Sequence, residues 1–297
     1  MKEQYSNIKF VTIAPTNTSF VSGGNKYNFE LFDSLQKCKH ISVTAYNPSA
    51  KYSDEFVLVD SLCLNLATDW RKFKNRCCIF HYHAYLHEKV SYVQLQNLTA
   101  LLSEFNLIVV TSDFVKNQLA GFGLKEEKIV VMEPVVMDCG SGDKHLNDTF
   151  TACTVASFVE VKGIATYLRQ LDSNRLTIDF THHFIGDITI NPEYYQQCVD
   201  IINGSVYLKK TIRLHPAGNR EEICDLLKTS HLFISTSIFE TFGIAVKEAL
   251  NVGLPVLALN KGNLPNLIRC KEHLFETIEE LICFLPHYFE KKIFSLK

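Results

Sequence analysis

The 297 residues are 46% hydrophobic and 21% charged, with a net charge of −2, a balance that excludes a polyanion-binding surface built on bulk charge. A chain of this size buries one large core or two of ordinary size. Its ten cysteines form no CxxC pair and only Cys77-Cys78 are adjacent, so the expectation is free thiols in a reducing cytosol, with neither a zinc module nor a disulfide framework. Met1–Asn7 is polar and leads straight into a strand, which predicts no secretory leader, and no apolar stretch is long enough to span a bilayer.

Lys9 to Ala14 is a strand-like run, followed by a Pro15 to Gly24 loop and a helix from about Asn25 to Gln36. Strand, glycine-bearing loop and helix open many nucleotide-binding α/β domains, although Gly23-Gly24 is not a GxGxxG fingerprint. His40–Ala45, Phe56–Val59, Cys77–Phe80, Leu107–Thr111 and Ile129–Met132 are further short apolar runs. Helical stretches such as Asp113–Ala120, ended by Gly121-Phe122-Gly123, separate them, and that alternation reads as a parallel sheet with crossovers. Asp69 to Arg76 interleaves basic and aromatic residues, as does the tail Tyr288 to Lys297. Such surfaces either rest on anionic lipid or use Lys and Arg stems to cover apolar groups, and the second reading is preferred. His81, His83 and His87 with Glu88 show HxH and i, i+4 spacings that a metal site would use.

Met137 to Thr149, rich in Gly, Asp, Ser and Asn and without apolar period, is the best linker. It divides residues 1–140 from 150–284, with 141–149 as linker and 285–297 as a tail that either packs back on the first domain or lies on the surface. The second set of elements runs Phe150–Ser157 strand, Lys162–Gln170 helix, Phe180–Ile185 strand, Pro192–Asn203 helix, Ile212–Leu214 strand and Arg220–Thr229 helix. Thr181-His182-His183 falls within a strand, a structural position.

The most informative stretch is Phe233 to Ile268. A strand closes at Ser235-Thr236-Ser237, Glu240 stands before Phe242-Gly243, and a helix runs from about Ile244 to Val252 until Gly253 and Pro255 end it. Val256–Leu259 is a buried strand and Lys261-Gly262-Asn263 a turn into a short helix. Free amides around Gly243, Ile244 and Ala245, at the positive end of the helix, suit a phosphate or diphosphate, and glycine lets the backbone come close. Glu248 lies on the order of 10 Å beyond Glu240 at 1.5 Å per residue. One carboxylate can then accept sugar hydroxyls and the other ribose hydroxyls; the plain alternative is one helix-start acid and one exposed helix acid.

Glu240, seven residues, then Glu248, with Phe242-Gly243 between them and Gly253-Leu254-Pro255-Val256 after, resembles the donor signature of glycosyltransferase family 4. Gly23-Gly24, the His81 region, Ser112–Leu119 and the Phe158–Gly163 segment follow in that family's order. The resemblance implies an α/β GT-B fold, two Rossmann-like doubly wound domains facing a cleft, and transfer of a sugar with retention from a nucleotide diphosphate sugar to an acceptor hydroxyl. It implies that Lys162 contacts the donor diphosphate, that Gly23 and Gly24 reach the diphosphate and acceptor, and that His81, or else His83, lies beside the anomeric centre. Ser157 stands where the family carries an arginine, which removes a charge able to fork onto two phosphate oxygens. Gly186-Asp187 ends a strand at the cleft, and His215 to Gly218, including Ala217, occupies the loop that lines the nucleobase pocket. Catalytic help is expected from His81, Lys162 and Glu240, with donor contacts from Ser157, Phe242, Gly243, Ile244 and Glu248. No metal or cofactor is expected beyond the nucleotide sugar as co-substrate. The acceptor is a glycan, a lipid-linked group or a protein; no nucleic acid is expected, and the protein is placed in the cytoplasm with peripheral membrane contact left open. Two alternatives stand: a nucleotide-sugar-binding partner that has lost transfer, and a nucleotide-sugar epimerase of the same fold.

Overall fold

The structure is a computed structural model and describes residues 8–15, 23–64, 68–80, 92–140, 149–216 and 219–295. The chain forms two compact units, Met1–Val135 and Val136–Lys297. Each is built from short apolar strands alternating with helices, and each holds a six-stranded parallel sheet. That is the α/β class the alternation predicts.

In the first unit β1 (Ile8–Ile13) is followed by α1 (Gly23–Gln36), β2 (Ile41–Ala45), β3 (Phe56–Asp60), β4 (Asn75–Ile79), α2 (Tyr92–Ser103), β5 (Leu107–Val110), α3 (Asp113–Gly121) and β6 (Ile129–Val131). The sheet order is β2-β1-β3-β4-β5-β6. Val57, Val59, Cys78 and Ile108 are wholly buried, because a parallel sheet is covered on both faces and its inner strands therefore read as unbroken apolar runs. Gly23 and Gly24 open α1, whose first turns are fixed by Tyr27 Oη donating to Met132 O at 3.0 Å and Asn28 Nδ2 donating to buried Asp60 at 2.5 Å. Ser112 caps α3 by accepting from Val115 N, and Gly123 at φ +93° follows its end, so the GxG there is a helix terminus as read.

The basic and aromatic run before β4 is not a lipid-facing surface at its aromatics. Trp70 is completely buried, stacked on Phe105 at 4.5 Å, and Phe73 is buried too. Arg71 lies 4.5 Å over the Trp70 ring and forks onto Glu104 with two 2.9 Å bonds. The cations cover the rings while their heads stay wet.

In the second unit the order along the chain is β7 (Thr151–Val155), α4 (Ile164–Asn174), β8 (Thr181–Gly186), α5 (Pro192–Asn203), α6 (Val206–Thr211), β9 (Ile212–Pro216), α7 (Arg220–Thr229), β10 (Leu232–Ser235), α8 (Ile244–Asn251), β11 (Val256–Leu259), α9 (Leu264–Leu267), β12 (Leu274–Phe275) and α10 (Ile278–Ser295). The sheet runs β12-β11-β10-β7-β8-β9, so the chain winds outward from β7 in one direction and from β10 in the other. Leu281, Ile282, Leu285, Tyr288 and Phe289 of α10 pack with Phe150 and Phe180 in this unit's own core. The segment read as a tail from residue 285 therefore begins as core, and Tyr288 and Phe289 are not surface aromatics. The helix passes Pro286, where one backbone donor is missing. No helix among the described residues is long and apolar enough to cross a membrane.

Alternation along β8 sends His182 and Phe184 into the core. Thr154 Oγ1 donates to Ile234 O at 2.5 Å, so it accepts from His182 Nε2 at 2.9 Å, and Nδ1 accepts from Tyr167 Oη at 3.0 Å. The neutral ring is fully satisfied, and burial holds its pKa well below the ordinary histidine value. An unfolded His182 takes up a proton below about pH 6.5 while the folded one does not, so stability falls as pH drops through that value. Melting curves from pH 8 to pH 5 are expected to show an acid limb that is shallower in His182→Gln. An identical limb in both would contradict this assignment.

Candidate functional site

In a doubly wound sheet, ligands bind outside the carboxyl ends of the strands where the winding reverses. In the second unit that point lies between β7 and β10, which pair directly. The chain leaving β7 passes through Ser157 into a 3-10 turn, Glu160–Lys162. The chain leaving β10 passes through Thr236 to Glu240 and on to α8. Lys162 and Glu240 thus stand on the two loops that flank the switch point, and Lys162 Nζ meets Glu240 Oε1 at 2.5 Å. Their side chains are 22% and 13% exposed, so the pair is largely withdrawn from water.

Each partner is held by its own set of contacts. Thr236 Oγ1 donates to Lys162 O at 2.6 Å and Ile238 N donates to Val161 O at 2.9 Å. Gly163 is left-handed at φ +67°, and a Cβ there would sit 2.3 Å from Thr236 O. That glycine is why the helix starts at Ile164 and not at Lys162 as the periodicity predicts: the lysine lies in the turn before it, facing the other loop. On the opposite side, Asn263 N donates to Glu240 O at 2.8 Å and Asn263 Nδ2 to Phe242 O at 2.9 Å. Gly262, at φ +59°, lies flat against the Glu240 peptide. Sequence reasoning assigned Thr236, Gly262 and Asn263 only to a strand end and a turn. The recurring Lys-Gly step at 162–163 and 261–262 is the one signal that marks both turns.

Gly243 begins α8 in the left-handed region at φ +85° and offers no side-chain cap. The first-turn amides, Ile244 among them, keep the positive end of the helix open to an anion. Phe242 beside it is buried, with Lys247 Nζ 5.1 Å from its ring centre. Glu248 is not the exposed helix acid of the plain alternative: it is 4% exposed and its Oε1 accepts from Met137 N at 3.0 Å.

Ser157 and Gly186 adjoin. Ala156 N donates to Ile185 O at 3.0 Å, Phe158 N to Asp187 O at 2.9 Å, and a Cβ on Gly186 would fall 3.1 Å from Ser157 N. The Asp187 carboxylate accepts from Thr189 N and Oγ1, both at 2.7 Å, and so closes its own loop. His215, near the end of β9, stacks on His183 in the middle of the neighbouring β8 with a 2.9 Å nitrogen–nitrogen contact. His81, His83, His87, Glu88, Ala217 and Gly218 lie outside the described residues, as do residues 141–148 of the expected linker. Gly23 and Gly24 belong to the first unit.

One expectation is corrected. Cys139 and Cys224 form a disulfide, with Cα atoms 5.2 Å apart, while the other eight cysteines are free. The partners are 85 residues apart, which leaves no local spacing to read. With Arg220 Nη2 donating to Asp138 O at 2.8 Å and Met137 N bonded to Glu248, the bridge pins Met137–Cys139 onto α7 and α8. Closing a loop of that length contributes about 4.6 kcal/mol in chain-entropy terms. Cysteine usage therefore no longer argues for a reducing compartment.

Residues 143–277, most of the second unit, match the family model of glycosyl transferases group 1. Among curated proteins, a subunit of the phosphatidylinositol N-acetylglucosaminyltransferase of Homo sapiens is 32% identical over 90 residues. That match spans 30% of this chain and 18% of the relative, so the chain covers less than a fifth of that protein. A crystal structure of a glycosyltransferase from Rickettsia africae ESF-5 superposes with a TM-score of 0.71 at 19% identity, covering 96% of this chain and 89% of that one. Anabaena HepE, solved in complex with UDP and glucose, gives 0.70 at 16% identity over 96% and 90%. At such identities the likeness establishes the fold, and it is the GT-B fold class expected from the sequence.

Proposed function

We propose that this protein is a glycosyltransferase of the family 4 type that transfers a sugar, with retention, from a nucleotide diphosphate sugar to an acceptor hydroxyl. The observation that carries the reading is the Lys162–Glu240 pair at the switch point, beside the uncapped start of α8. The match to glycosyl transferases group 1 covers this same segment and supports it.

The roles follow from charge. As the anomeric C–O bond breaks, both electrons go to a phosphate oxygen, the acceptor oxygen supplies the new bond to the anomeric carbon, and the acceptor's proton leaves with the departing diphosphate. Lys162 and the first-turn amides of α8 stabilise the charge that gathers on the departing nucleoside diphosphate. Glu240 accepts hydroxyls of the sugar and, before the donor arrives, holds the lysine in place. Glu248, whose Oε1 accepts from the Met137 amide, is assigned to the ribose. Ser157 and Gly186 are assigned to the diphosphate side and the loop with Ala217 and Gly218 to the base. Positive charge comes from the chain itself, so the reaction is assigned no metal.

A second reading, a nucleotide-sugar-binding protein without transfer, is favoured by Ser157, which leaves the site one cation short of the family pattern. Incubation with a panel of nucleotide sugars and glycan, lipid-linked and peptide acceptors separates the two. Uridine donors lead the panel because the Anabaena neighbour holds UDP and glucose. Acceptor-dependent release of nucleoside diphosphate is expected. Binding of a donor with no release on any acceptor would sink transfer and leave the second reading.

A further inference from the structure

We infer that Asn263 is a positioning residue for this site: it fixes the Glu240–Phe242 turn by both carbonyls that flank Thr241, and so sets the Glu240 carboxylate opposite Lys162. The inference rests on the donor-site reading above.

Asn263 is 4% exposed and its four polar groups are all engaged, its carbonyl accepting from Asn266 N at 3.0 Å. Its backbone N–H donates to Glu240 O at 2.8 Å, Nδ2 donates to Phe242 O at 2.9 Å, and Oδ1 accepts from Asn266 Nδ2 at 3.0 Å. A carbonyl can only accept, so the amide nitrogen must face Phe242, and the bond from Asn266 fixes the same orientation. Gly262 brings the turn this close: a Cβ there would stand 2.1 Å from Glu240 O and 2.8 Å from Glu240 N. Residues 236–243 belong to no helix or strand, so no ladder holds the carboxylate in place. Upstream of Glu240 the same loop is tied to the Lys162 turn through Thr236 and Ile238. The spacing of acid and base therefore depends on tethers on both sides of Glu240, and Asn263 supplies the downstream one. The side-chain bonds run to the turn at buried Phe242 and to the short helix that orients the amide.

Asn263→Asp keeps the shape and replaces the donor with an oxygen that faces the Phe242 carbonyl. In the full chain assayed with UDP-glucose, or with whichever nucleotide sugar the panel selects, kcat/KM is expected to fall about tenfold to a hundredfold. Donor KM rises, acceptor KM stays put and far-UV circular dichroism remains near wild type, while Tm falls because a buried oxygen then faces a carbonyl. A lower Tm with wild-type kcat and donor KM per folded molecule would mean a structural role only and overturn the inference. If Asn263→Asp does not fold, Asn266→Ala, which removes only the bond orienting the amide, is expected to move donor KM in the same direction by less; wild-type kinetics there overturn it equally. Glu240→Gln run in parallel tells the two levels apart. Loss in Glu240→Gln without loss in the Asn263 and Asn266 variants defeats this inference alone, whereas unimpaired Glu240→Gln defeats the donor-site reading and this inference with it.

Discussion

Glu240→Gln and Lys162→Met are each expected to lower kcat/KM for sugar transfer by about two to three orders of magnitude, Lys162→Met through lost stabilisation of transition-state charge and Glu240→Gln through lost placement of donor and lysine. The double variant is expected to be little worse than the poorer single one, because the two act as one unit and the first substitution already breaks it. Stability is expected to fall by about 3 kcal/mol in either variant, because each removes one charge of an ion pair largely withdrawn from water. Kinetics, thermal melts and the double variant together check this. Strictly additive losses would mean that the 2.5 Å contact between the two has no bearing on turnover.

The second large effect is on folding. Gly186→Ala places a Cβ 1.7 Å from Ala156 O, and neither backbone can retreat, because Ala156 and Phe158 are tied to the β8 end through Ile185 O and Asp187 O. A destabilisation of about 3 kcal/mol or more is expected, read as a fall in Tm of roughly 6 °C or beyond. Gly121→Ala, at the last residue of α3 with nothing within 4 Å of the added carbon, is expected to be neutral within about 0.5 kcal/mol. Equal melting temperatures for the two variants would contradict the close approach of β8 to the β7 loop. Gly186 thus has a steric reason to be glycine whether or not a ligand comes near it.

The sheets were legible because inner strands such as Phe56–Asp60 and Val256–Leu259 are buried on both faces and leave unbroken apolar runs. The helix expected over Ile244–Val252 is found over Ile244–Asn251, since Gly253 and Pro255 end it for local reasons. Pairings across long stretches left no such trace. Lys162 and Glu240 were each singled out, yet 78 residues separate them and no local pattern says that they touch. Met137 lies 111 residues from the carboxylate it donates to, and Cys139 lies 85 residues from Cys224. Trp70 shows the opposite failure: its basic neighbours give it the look of a surface residue, and only the fold reveals Phe105 beneath it. α6, six residues long with two lysines in its last turn, was too short and too polar to stand out.

Titrating UDP and UDP-glucose into the wild type, Lys162→Met and Glu240→Gln tests the account at its centre. A lysine on the diphosphate and a glutamate on the sugar predict that Lys162→Met weakens both ligands, while Glu240→Gln weakens UDP-glucose and leaves UDP nearly unchanged. Wild-type affinity for both ligands in both variants would place the donor elsewhere and contradict the assignment.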